Sequence, residues 1–332
     1  MKKKNILIIG SNEKFTLELM YLRAFKSLNH NVKFYHTENI IKHFIFLILQ
    51  KIFVKFHYFL LRKKMINFFK NNKYEFDLIV VFKGIFLDKK TLLYCKSLSK
   101  NSVWINIFPD DPWNFSLGNI SNKNVLKCMH FYDYYCLWSK KIIKKMKSLK
   151  LGKKIIYLPF GYDPTLHKSK KNSELKYDIN FIGTFDKIRQ KLILNIQKYK
   201  LIVAGSNWPP TNKFELSGVI LGNKYSDIIA KSKISLNILR AQNITSHNMK
   251  TFEIPAMNGL MLTKRSKEQN IFFPENVACL MYNSEKEIIK KIKFVIENPK
   301  KAQKIKKLGN KLSLKHTYKA RSFYLLKKIF HR

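Results

Sequence analysis

The feature that most constrains this chain is a repeated alternation of short, β-branched apolar runs with longer stretches of helical apolar spacing. Lys4 to Ile9 is the first such run; it ends in Gly10-Ser11-Asn12, and Phe15 to Leu28 follows with apolar residues three and four apart. Strand, phosphate-friendly turn and helix form the opening unit of a doubly wound α/β fold. Val32 to Tyr35, Asp77 to Phe82, Val103 to Phe108 and Tyr134 to Trp138 are predicted as further strands, with helical patterns between them. Near-continuous apolar strands are buried on both faces, so a parallel sheet covered by helices is expected.

The alternation stops and starts again. After Leu158-Pro159-Phe160-Gly161 comes a polar stretch from Lys168 to Lys176, the best linker candidate in the chain. Beyond it, Asp178 to Gly183, Leu201 to Gly205, Gly218 to Leu221, Ile234 to Ile238, Leu260 to Thr263 and Val277 to Met281 read as strands. Tyr225 to Lys231, Glu285 to Glu297, Pro299 to Leu314 and Thr317 to Phe330 read as helices. A length of 332 residues suits two domains. The expected organisation is a Rossmann-like domain over 1–165, a second over 176–314 facing it across a cleft, and a C-terminal helix over 315–332 returning to the first.

Composition narrows the partners. The formal net charge is +43, which suits a polyanion such as nucleic acid, an anionic membrane or a phosphorylated substrate. Of the 64 basic residues only seven are Arg, and Asn, Ile and Phe are abundant, a pattern that A+T-rich coding produces without functional demand. The charge is dispersed rather than clustered beside stacking aromatics, which argues against specific nucleic-acid binding. From Ile40 to Phe69, apolar and aromatic residues are interrupted by Lys42, Lys51, Lys55, Arg62 and Lys63. That is too charged to cross a bilayer, but it suits either an interfacial amphipathic helix or an ordinary core helix. Cys95, Cys128, Cys136 and Cys279 lack metal spacing and are expected as buried thiols. The apolar run Ile6 to Ile9 is too short for a signal peptide, so a cytoplasmic protein, peripheral on the inner face of the membrane, is expected.

Ligands of open α/β sheets bind beyond the carboxyl ends of the strands, where loops present N–H groups suited to phosphate. That rule selects Gly10, Ser11 and Asn12, Lys83 and Gly84, Asp110 and Asp111, Gly183 and Thr184, Gly205-Ser206-Asn207, and the stretch from Asn237 to Glu253. The most specific segment is Thr251-Phe252-Glu253-Ile254-Pro255-Ala256-Met257-Asn258-Gly259, followed by the apolar run Leu260 to Thr263.

This segment resembles the ribose-gripping segment of GT-B glycosyltransferases, in particular the CgeB-like, spore-maturation-type family. Phe108-Pro109-Asp110-Asp111-Pro112, Leu158-Pro159-Phe160-Gly161, Ile182-Gly183-Thr184 with Arg189, and His316-Thr317-Tyr318-Lys319-Ala320-Arg321 fit the same family, in order along nearly the whole chain. The resemblance implies sugar transfer from a nucleotide-sugar donor to a glycan or glycolipid acceptor, with Glu253 accepting from the ribose hydroxyls. It implies that Arg189 and the Gly183 loop meet the donor diphosphate. Lys250 stands where these sequences commonly carry Arg, exchanging a bidentate fork for a point charge. Asn237, Arg240 and His247 lie in the adjoining loop, within reach of the donor. No cofactor and no metal are expected, since GT-B enzymes generally stabilise the leaving diphosphate with protein cations and the chain has no Asp-x-Asp motif.

On the acceptor side, Gly10, Ser11, Asn12, Lys83 and Gly84 line the expected site, and Asp110 and Asp111 are the candidates for the general base. Two other classes compete. A nicotinamide-dependent enzyme would need GxGxxG after the first strand and an acid closing the second, where Tyr35-His36-Thr37 stands instead. A non-catalytic GT-B relative would bind sugar or nucleotide without turnover.

Overall fold

A computed structural model describes residues 2–37, 49–72, 75–113, 119–170 and 173–330. The chain forms two compact units, Met1–Pro159 with Ser322–Arg332, and Phe160–Arg321.

The first unit carries β1 (Asn5–Gly10), α1 (Leu17–Lys26), β2 (Asn31–His36), α2 (Leu49–Asn71), β3 (Leu78–Phe82), α3 (Lys89–Ser97), β4 (Val103–Phe108), α4 (Asn119–Cys128), β5 (Tyr134–Leu137), α5 (Lys140–Ser148) and β6 (Ile155–Tyr157). Its strands make one parallel six-stranded sheet in the order β2-β1-β3-β4-β5-β6. Ile6 to Ile9 and Leu78 to Val81 are fully buried, as strands sandwiched between helix layers must be. The short edge strand β6 has no counterpart among the sequence expectations, because three residues are too few to show a period.

Within the stretch expected as an amphipathic helix, α2 starts at Leu49; residues 40–48 lie outside those described. Leu61, Met65 and Phe69, four apart, are buried, and the Phe69 ring lies 5.3 Å from that of Trp104. One side of α2 is therefore a core-packing face. No described helix is long and apolar enough to cross a membrane.

The second unit contains β7 (Tyr177–Ile182), α6 (Lys187–Leu194), β8 (Leu201–Ala204), β9 (Glu215–Ser217), α7 (Asn223–Ala230), β10 (Ser232–Asn237), α8 (Lys250–Ala256), β11 (Met261–Lys264), α9 (Lys267–Phe272), β12 (Leu280–Tyr282), α10 (Glu285–Glu297) and α11 (Pro299–Ser313). Its parallel sheet runs β12-β11-β10-β7-β8-β9. A final helix, α12 (Tyr318–Phe330), begins in this unit and continues into the first. Among the described residues the four cysteines are buried and unbridged.

Two expected strands are displaced. Gly218 to Leu221 is loop, because the Gly205 N–H closes the pairing on the carbonyls of Ser217 and Gly218, leaving Val219 and Leu221 exposed. Val277 and Ala278 are turn, both donating back to the Pro274 carbonyl, Cys279 forms an isolated bridge with Glu275, and pairing within the sheet starts at Leu280. The boundaries also move. Phe160 to Thr165 group with the second unit: Tyr162 donates to the His316 carbonyl and Tyr318 donates to that of Tyr162. His316 to Arg321 stay there too, Arg321 Nε donating to the Phe160 carbonyl, so only the chain from Ser322 onward groups with the first unit.

Candidate functional site

In the second sheet the strand order reverses at β7, which pairs with β8 on one side and β10 on the other. The carboxyl ends of β7 and β10 therefore flank a topological switch point, where open α/β sheets bind ligands. Gly183 leaves β7 with its N–H on the Ala204 carbonyl, and its own carbonyl accepts from Trp208 Nε1 at 2.8 Å. A Cβ on Gly205, where φ is +151°, would lie 2.1 Å from the Gly183 oxygen. Only glycine lets these two loops meet.

Arg189 spans the switch point. Asp186 caps α6 by accepting from the N–H groups of Ile188 and Arg189, which fixes the root of the side chain. The guanidinium then donates to the Thr184 carbonyl beyond β7 and to the Ile238 carbonyl beyond β10, each at 2.9 Å. Burial, with Arg240 nearby, pulls its pKa down to about 10. With two donors committed to backbone, Arg189 ties the two loop walls together.

The loop between β10 and α8 sorts its side chains into two groups. Asn237 and Asn248 exchange amide hydrogen bonds at 3.0 and 2.9 Å, and Thr251 Oγ1 donates to Gln269 Oε1 at 2.8 Å. His247 Nε2 accepts from the Phe160 N–H at 3.3 Å, while its ring packs edge-on against Phe160, Phe252 and Phe272. Burial lowers the pKa of this imidazole, keeping it neutral. Asn237, His247, Thr251 and Phe252 are all fully buried, so the donor contacts expected of them give way to anchoring the loop.

The other group faces outward. Arg240 is exposed, Gly183, Thr184 and Lys250 are half-buried, and Glu253 is buried in the first turn of α8. Glu253 Oε2 accepts from the Tyr225 hydroxyl at 3.2 Å, and His167 Nε2 lies 3.5 Å from Oε1. The Lys250 ammonium sits 5.6 Å from the Tyr225 ring centroid. Burial lowers its pKa, Glu253 pulls it back up, and Arg189 and Arg240 lower it again, so all four groups share one electrostatic neighbourhood. A carboxylate able to accept from hydroxyls thus sits among three cations able to hold phosphate. Tyr225 and His167 had no sequence signal beyond Tyr225 opening an expected helix.

In the first unit the switch point lies at β1, paired with β2 and β3. Lys83 and Gly84, just past β3, have φ of 57° and +68°, and the Asn106 amide donates to the Lys83 carbonyl at 3.3 Å. The Lys83 ammonium lies 3.0 Å from Asp110 Oδ2. Asp111 instead accepts from the Trp113 N–H at 3.0 Å, capping the turn, so of the expected pair Asp110 is the one aligned with Lys83. Gly10 is required by closeness: a Cβ there would lie 2.5 Å from Glu18 Cγ. Ser11 N–H points at Glu18 Oε1 at 3.5 Å, and Asn12 is exposed. Burial raises the pKa of Glu18, which Lys83 partly offsets. The one sequence signal that Glu18 carries is an acid in the first turn after the Gly10 loop. Among the described residues no three His, Cys, Asp or Glu side chains gather to hold a metal.

Residues 185–327 match the model of a family described as glycosyl transferase-like. In fold the chain is similar to sucrose-phosphate synthase from Thermosynechococcus elongatus, at 11% identity and TM-score 0.70 over 98% of each chain. It is also similar to a glycosyltransferase from Rickettsia africae, at 13% identity and TM-score 0.67 over 100% of each. The Anabaena protein HepE in complex with UDP-glucose aligns at 10% identity and TM-score 0.66, over 98% of this chain and 100% of that one. No curated protein matches the sequence. The fold is that of GT-B glycosyltransferases. The stretch that matches the glycosyl transferase-like model, residues 185–327, holds Arg189, Arg240, Lys250 and Glu253.

Proposed function

We propose that the protein transfers a sugar from a nucleotide-diphosphate-sugar donor held by the second unit to a glycan or glycolipid acceptor recognised by the first. The observation that carries this reading is the Glu253 carboxylate among Lys250, Arg189 and Arg240 at the switch point of the second sheet. Ribose hydroxyls need a fixed acceptor and a diphosphate needs nearby cations; this cluster offers both. Lys250 and Arg240 stabilise the charge that develops on the departing nucleotide, without a metal. UDP-glucose, the ligand of the similar HepE structure, is the first donor to test.

Transfer also needs a base near the attacking hydroxyl. Asp110, steered by Lys83, and the buried Glu18 are the carboxyl groups at the switch point of the first sheet, and Asp110 is assigned the role. It takes the hydroxyl proton as the acceptor oxygen bonds the anomeric carbon and the nucleotide diphosphate leaves. The CgeB-like resemblance, a hexose as the transferred sugar, and a place on the inner face of the cytoplasmic membrane belong to the same proposal.

The test is a thermal-shift and product-release screen of the purified protein against UDP-, GDP-, CMP- and dTDP-sugars, with Glu253→Ala alongside. Stabilisation and nucleotide release that vanish in the variant are expected. Stabilisation without release would make this a nucleotide-sugar-binding relative, and silence from every donor would overturn the reading.

A further inference from the structure

On α2 the residues opposite the buried stripe of Leu61, Met65 and Phe69 are Phe56, Phe59, Leu60 and Lys63. Phe56 and Phe59 are 57% and 55% exposed, unusual for two phenylalanines one helical turn apart. The surface continues onto α3, whose exposed residues include Leu93 and Tyr94, and Lys70 of α2 lies over the Tyr94 ring at 5.8 Å.

Charge says what covers this face. The segment Leu49–Asn71 holds six basic residues and no acidic one, and Lys89–Ser97 holds three basic residues and none acidic. Arg62 is turned inward onto Asp88, the cap of α3, which pins the two helices to each other and removes that cation from the outer surface. Lys55, Lys63, Lys64, Lys70, Lys89 and Lys90 remain exposed around the aromatic centre. Protruding aromatic rings ringed by lysines match the boundary between lipid tails and anionic head groups: rings enter the apolar layer and ammonium groups stay with the phosphates. Nucleic acid would need an Arg-rich groove with stacked rings, and the exposed cations of this face are all lysines.

We propose that the outward face of α2, extended by α3, docks on an anionic lipid bilayer, with Phe56, Phe59 and Leu60 inserted and the surrounding lysines on the head groups. This deepens the reading of the acceptor as membrane-held. Vesicle binding is measured without donor or acceptor, so failure of the surface and failure of the transfer reaction are read apart.

The experiment is sedimentation of the full chain with vesicles of phosphatidylcholine containing phosphatidylglycerol, against pure phosphatidylcholine. Wild type should bind only the anionic vesicles, and less at high salt. Lys63→Gln with Lys64→Gln should weaken binding about thirtyfold, from about fivefold per lysine near the surface. Phe56→Ser with Phe59→Ser should weaken it at least tenfold with an unchanged melting temperature, because these side chains are exposed. The matched control is Lys300→Gln with Lys301→Gln on α11, which should bind as wild type. Unchanged binding in the α2 variants, or an equal loss in the control, would overturn the assignment. So would binding of a DNA duplex through the same lysines in place of vesicles.

Discussion

The Tyr225 hydroxyl donates a hydrogen bond to Glu253 Oε2 at 3.2 Å, joining two residues that lie 28 apart in the chain. Tyr225 comes from α7 and Glu253 from α8, and the bond leaves Oε1 facing His167. Burial and the carboxylate together push the phenol pKa well up, so Tyr225 remains a donor at every working pH. One oxygen of Glu253 is thereby fixed in direction while the group keeps the lone pairs a diol would use.

Tyr225→Phe should therefore weaken donor binding by about three- to tenfold, the loss of one hydrogen bond to a charged group that orients the carboxylate. Glu253→Ala should abolish it. Calorimetric titration with the donor found in the screen checks both, and equal affinities for wild type and Tyr225→Phe would remove Tyr225 from the site.

Arg189 is expected to matter more for the fold than its place near a phosphate site suggests. Arg189→Ala leaves the carbonyls of Thr184 and Ile238 without their donors and should cost about 3 kcal/mol in urea unfolding. Arg189→Lys should recover less than half, since one ammonium does not span both loops. A destabilisation below about 1 kcal/mol would mean the carbonyls are satisfied otherwise.

His316 gives the second unit an acid limit. Its pKa is pulled down to about 4, first by burial and then by Arg321 and His247. The unfolded chain, with a histidine near about 6.5, binds the proton first as pH falls. Stability should thus be fully present above about pH 6.5 and be lost progressively toward pH 4, by up to about 3 kcal/mol from this group. Buried His247, also shifted down, adds in the same direction. Melting temperature measured from pH 7.5 to 4 checks the slope, and His316→Gln should flatten it.

Asp110→Asn should lower turnover by about 10²- to 10⁴-fold while leaving donor affinity unchanged, as expected for loss of a base that does not touch the nucleotide. Lys83→Met should reduce turnover less, because the ammonium beside Asp110 orients the carboxylate without itself taking the proton. If Asp110→Asn retains full turnover while Glu18→Gln does not, the base is Glu18.

Most of the fold was legible in the sequence and much less of the site. Ile6 to Ile9 and Leu78 to Val81 announce themselves because a strand buried on both faces must be apolar at every position, a local requirement. The expected strand at Gly218 to Leu221 failed for a non-local reason: its pairing is ended by Gly205, on another strand's loop. Asn237, His247, Thr251 and Phe252 were grouped with Glu253 because they neighbour it in the chain. The side chains of His247, Thr251 and Phe252 turn instead to Glu268, Gln269 and Phe272, partners in a helix that follows the next strand, and Asn237 turns to Asn248 within the loop.

By itself, then, the sequence determined the element types, the parallel character of the sheets and the presence of a carboxylate-and-cation segment around Lys250 and Glu253. These follow from periodicity and residue chemistry within short windows. Only the tertiary structure decided which side chains of that segment face outward, that Arg189 braces the two loops, and that Glu18, Lys83 and Asp110 share one end of a sheet. Those outcomes depend on strand order and on which buried polar groups find partners, and both are settled by packing between residues far apart in the chain.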